Sequence, residues 1–72
     1  MDPASTIRLL INGEPRSVPA GISLEGLLGL LGLEQDRVAI EYNLSIVHRG
    51  RWAEVKLSDA DRLEIVQFVG GG

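Results

Sequence analysis

Few side chains in this 72-residue chain could carry out chemistry. It has no cysteine, which excludes disulfides, thiolate metal sites and a cysteine nucleophile. His48 is the only histidine, so neither a histidine metal cluster nor a catalytic triad can be assembled. It has no nucleophile or orienting acid for company and reads as an exposed strand residue. Asp59 and Asp61 in "SDAD" could share a cation or a proton, yet the pattern is better explained as a polar turn. Arg49 and Arg51 in "HRGR" form a solvated loop, with an acidic partner as the alternative. The glycines of "GLLGLLG" do not form a phosphate loop, which needs a lysine followed by a hydroxyl residue.

What remains is the main chain itself. In "LEIVQFVGGG", residues 63–72, an alternating apolar run passes directly into three glycines. Glycine is entropically costly to order, so a plain structural ending is poorly served by it. Three extended residues reach roughly 10 Å and, lacking side chains, could thread a channel too narrow for any other residue. A frayed end is the plain alternative. The expectation is that the Gly72 carboxylate is the working group, with Gly70 and Gly71 threading it outward.

The elements that would position such a group follow from periodicity. "TIRLLIN" at 6–12 alternates as a strand, and "NGE" at 12–14 is a hairpin signal. A second strand is expected over about Arg16 to Pro19, with Pro19 marking an edge or an end. Leu24, Leu27, Leu28 and Leu31 fall on one face of a helix. Ser23 suits its N-cap, Ile22 a staple before it, and Gly32 its C-terminal cap. "RVAIEYN" predicts a third strand, "LSIVHR" a short partner for it, and Leu63 to Val69 the last. Trp52 is expected to cap one end of the core. The predicted order is β-β-α-β-β-β, an α+β roll with a mixed sheet of four to five strands and one main helix. Residues 1–5 read as a flexible lead-in, 6–69 as the domain and 70–72 as a flexible tail.

Alternation in the last strand puts Leu63 and Ile65 on one face and Glu64, Val66 and Phe68 on the other. Arg8 and Leu10 behave likewise in the first. If the two strands are neighbours, Leu10, Val66 and Phe68 make an apolar patch on the open sheet face, the expected partner interface.

Composition narrows the partners. Ten acidic against seven basic residues give a net charge of −3, with no basic stripe for nucleic acid. "GLLGLLGL" is far too short to span a membrane, and "MDPAST" lacks the regions of a signal peptide. A cytoplasmic protein, monomeric when free, is expected.

These pieces together resemble the ubiquitin-like sulfur carriers of the MoaD/ThiS type, and among them the branch that serves thiamine biosynthesis. The matching stretches are "INGE", "VPAGISLEGLL", "VAIEYN", "IVHR" followed by Trp52, and "LEIVQFVGGG". The resemblance implies a β-grasp (ubiquitin-like) fold and a protein co-substrate rather than an enzyme. It implies that a ubiquitin-activating-like adenylyltransferase, using ATP and Mg²⁺, converts the Gly72 carboxylate into an acyl-adenylate. Sulfur from a cysteine desulfurase or similar donor would then yield a thiocarboxylate for thiazole synthase. No cofactor would be bound by this chain. A molybdopterin-type carrier or a protein modifier would use the same activation. The chain departs from the family pattern at Ala60, where relatives often have glycine, and at His48, where many have proline.

Overall fold

The computed structural model describes residues 5–68. The expectations for residues 1–4, for Val69 and for the glycines at 70–72 lie outside them. Strand β1, Thr6–Ile11, turns back into β2, Glu14–Pro19, through the two residues Asn12 and Gly13. Their φ values of 50° and 83° are those of a turn whose twist matches its flanking strands, and asparagine followed by glycine adopts it at low cost. Helix α1, Leu24–Leu31, crosses to β3, Val38–Tyr42. A two-residue β4, Ser45–Ile46, pairs beside β3, and β5 spans Arg62–Gln67. The five strands lie in the order β2-β1-β5-β3-β4. β5 pairs parallel to β1 and antiparallel to β3, so the expected mixed sheet and element order are observed.

One face of this sheet is covered by α1. Leu24, Leu27 and Leu28 are buried against Leu9, Ile11, Val38, Ile40, Leu63 and Ile65. Aliphatic packing therefore carries the core, as a chain with three aromatic residues requires. The helix is short and contains two glycines, so its ends matter. Ser23 Oγ accepts from the Gly26 N–H at 3.0 Å, while the Leu24 and Glu25 amides donate to the carbonyls of Val55 and Trp52. These bonds satisfy donors that a helix start leaves orphaned. At the other end Gly32 takes φ 73°, and the Leu33 amide reaches back to the Leu28 carbonyl at 2.9 Å. That closes the helix as a Schellman cap. Ile22 lies over Gly26, where an added Cβ would stand 3.0 Å from its Cγ1.

The segment after β4 departs from expectation. "LSIVHR" gives only two residues of strand, and His48 lies past it, exposed at the start of a 3₁₀ turn over Arg49–Arg51. Trp52 explains the early stop. Its buried indole donates Nε1–H to the Val47 carbonyl at 2.9 Å, diverting the main chain from the ladder. Trp52 thus closes one end of the core as expected. Arg51 pairs with Glu54 at 3.4 Å, in keeping with a solvated loop.

Both sheet edges discourage pairing with other chains. Leu10 and Asn12 turn their amides to β5, so Ile7, Leu9 and Ile11 face β2 and leave Pro15, Ser17 and Pro19 on its outer side. Two of those three have no N–H to offer. The far edge, β4, is too short to template a strand.

Candidate partner-docking face

The strand that leads toward the glycines is the central one of five. Leu63 and Ile65 are buried, whereas Glu64, Val66 and Phe68 are exposed, Val66 by 57% and Phe68 by 54%. The Phe68 amide donates to the Arg37 carbonyl at 2.7 Å, extending the β3–β5 ladder one residue past the strand. Such exposure is unusual for large apolar side chains only when they cluster, and these do. Val66 stands directly opposite Ala39, and Ile46, 75% exposed, lies across β3 beside Glu41. A shallow hollow is lined by Ala39, Ile40, Glu41, Ile46, Glu64 and Val66.

Leu10 differs from expectation. It shares the open face, but it is half-buried and does not adjoin Val66. The parallel register puts Leu10 opposite Arg62, so Glu64 intervenes along β5. Leu10 instead lines a second hollow with Gly13, Glu41, Leu44, Arg62 and Glu64. Two apolar hollows therefore flank the cross-strand pair Glu41–Glu64. Like charges set directly opposite one another destabilise a sheet, so the pair belongs to a face that is not optimised for the isolated fold. Ile46 and Leu44, both exposed, were not among the residues expected on this face. Alternation along β4 would have pointed to Ile46, while Leu44 sits at φ 75° in a turn with no such periodicity.

The acids of the last turn are structural. Asp59 Oδ1 accepts the Arg8 amide at 2.8 Å. Asp61 is buried and accepts from the Tyr42 hydroxyl and the Ser58 amide, each at 2.8 Å, and from Asn43 Nδ2 at 3.3 Å. The hydrogen bond to Asp61, with burial and the carboxylate's charge, raises the Tyr42 pKa above its ordinary 10.0. Ala60 holds φ 73°, the backbone a glycine would take there. Among the described residues no group of three His, Asp or Glu side chains could hold a metal, and no helix is long and apolar enough to cross a membrane.

A model of the ThiS family matches residues 9–72. The Bacillus subtilis sulfur carrier protein ThiS is 44% identical over 50 residues, covering 69% of this chain and 76% of that one. A thiazole synthase of Paramagnetospirillum magneticum is 48% identical over 66 residues, or 92% of this chain. The chain spans only 20% of the length of that synthase. Among solved structures, the thiamine biosynthesis protein (ThiS) of Geobacter metallireducens superposes with a TM-score of 0.78 at 29% identity. That match covers 92% of this chain and 100% of the other.

Proposed function

This chain belongs to the ThiS family, and on that premise we propose that it is a sulfur carrier of thiamine biosynthesis whose working group is the Gly72 carboxylate. A free carboxylate is a poor electrophile. An adenylyltransferase of the ubiquitin-activating type corrects this with ATP and Mg²⁺, joining a carboxylate oxygen to the α-phosphorus and releasing pyrophosphate. The terminal sulfur of a persulfide on a cysteine desulfurase or similar donor then attacks the carbonyl carbon, and AMP departs. A thiol attacks the donor-side sulfur of the resulting acyl disulfide, forming a disulfide with it and releasing the thiocarboxylate, which carries the sulfur to thiazole synthase. This chain acts as co-substrate; ATP and Mg²⁺ belong to the partner.

The observation that carries this reading is the family match running through residue 72 on a chain whose glycines follow the central strand. A reactive end serves best when its support is rigid, and β5 is paired on both sides. Val66 and Phe68, with Ala39 and Ile46, offer the apolar centre of a docking face; Leu10 lies toward its rim. Thiazole synthase as recipient is supported by the synthases that contain a segment similar to this chain.

The test is ATP–pyrophosphate exchange with the activating enzyme. The full chain should support exchange, and removal of Gly72 should abolish it while leaving the fold unchanged by circular dichroism. Exchange that survives removal of Gly72 would assign the activated group elsewhere.

A further inference from the structure

Asn12 forms bonds that its place in the hairpin does not require. Its carboxamide meets Ile65 twice, 53 residues away: Oδ1 accepts the Ile65 amide at 2.8 Å, and Nδ2 donates to the Ile65 carbonyl at 3.1 Å. The reason lies in the sheet. β1 and β5 run parallel, with the Leu10 amide bonded to the Asp61 carbonyl and the Asn12 amide to the Leu63 carbonyl. Were β1 to continue, the carbonyl of residue 12 and the amide of residue 14 would serve Ile65. The chain instead turns at Asn12, φ 50°, and Glu14 goes back to pair with Ile11. A single carboxamide replaces both missing partners, because it presents an acceptor and a donor in one plane.

We propose that Asn12 is a positioning residue: its side chain acts as a surrogate strand residue that holds β5 from the β1 side at Ile65, and so fixes the Val66–Phe68 segment leading to the glycines. The positioning role rests on the sulfur-carrier reading, whereas the clasp itself does not. Beyond Ile65, among the described residues, β3 supports the segment through the Val66 and Phe68 rungs. Loss of the clasp frees that segment without disturbing the core.

Two variants isolate this. Asn12→Gly keeps the left-handed turn and removes the carboxamide. Asn12→Asp keeps the turn and the acceptor for the Ile65 amide but turns the Nδ2 donor to the Ile65 carbonyl into a second acceptor. Amide hydrogen exchange, resolved by residue, is the first readout. In Asn12→Gly, exchange at Ile65, Val66 and Phe68 should rise roughly tenfold or more, the effect of one or two lost hydrogen bonds, while Leu9, Leu27 and Ile40 change little. In Asn12→Asp the second carboxylate oxygen faces the Ile65 carbonyl and repels it, so a loss should appear near neutral pH, smaller at the Ile65 amide, which keeps its acceptor. Relative to the parent chain at the same pH, it should recover below about pH 4, where a protonated carboxyl regains a donor. Unchanged protection at Ile65, an equal loss across the core, or no recovery on acidification would each overturn the clasp.

The second readout is adenylation by the activating enzyme. A less populated docking geometry raises KM severalfold and leaves kcat unchanged. An unchanged KM in a variant that shows the local exchange defect would overturn the positioning role. Failure of the parent chain to be adenylated would instead refute the sulfur-carrier reading and leave the exchange result standing.

Discussion

Two residues hold conformations or contacts whose consequences can be measured directly. Ala60 occupies the left-handed region at φ 73°, where its Cβ crowds the backbone and glycine does not. Ala60→Gly should therefore raise stability by about 1 kcal/mol in urea unfolding followed by Trp52 fluorescence. A loss of stability would mean the turn relies on the alanine methyl. Tyr42 is the chain's only tyrosine, so its ultraviolet titration is unambiguous. Its folded pKa is raised by the bond to Asp61. The stabilisation from that bond is accordingly complete below pH 10.0 and lost as pH rises through the higher folded value. The native midpoint should exceed that of the urea-unfolded chain, and Tyr42→Phe should flatten the alkaline fall in stability. Coincident midpoints would refute the bond. Asn12 teaches a related lesson about what a sequence reveals. Its place before Gly13 announces a hairpin from local pattern alone, but its partner, Ile65, is 53 positions distant, and no periodicity links the two.

At the scale of elements, what was legible followed from period and punctuation. Alternation placed Leu9, Ile11, Leu63 and Ile65 in the core and Val66 outside it, because strand side chains repeat every two residues. Ser23 and Gly32 bounded the helix through caps that act locally. Two features escaped. β4 was shortened by an indole bond from Trp52 to the Val47 carbonyl, and Leu10 was separated from Val66 by the register of β1 on β5. Alternation gives the face of a side chain, while register between strands depends on contacts that no single strand contains. The helix offers a direct comparison of its glycines. Nothing lies within 4 Å of a Cβ added at Gly29, whereas one added at Gly26 meets Ile22 at 3.0 Å. Gly29→Ala should stabilise by up to about 1 kcal/mol and Gly26→Ala by less, as Ile22 must shift. Equal effects on the unfolding midpoint would show that Ile22 gives way freely.

For the whole molecule, the packed core and the proposed docking face lie on opposite faces of one sheet. Leu27→Ala on the helix should cost about 2–5 kcal/mol of stability, since the residue is fully buried. Phe68→Asp should change stability by no more than about 0.5 kcal/mol, the usual range for exposed sites, yet weaken binding to the activating enzyme by an order of magnitude or more. A large fall in melting temperature for Phe68→Asp would place that ring in the core and withdraw it from the docking face. The core holds β5 in the middle of the sheet, and β5 carries the residues of the proposed docking face and leads to the glycines. The measurement that bears most directly on this account is the intact mass of the chain after incubation with the adenylyltransferase, ATP, Mg²⁺ and a sulfur donor. Exchange of one carboxyl oxygen of Gly72 for sulfur is the predicted result; an unchanged mass, with the enzyme shown to be active on another carrier, would contradict it.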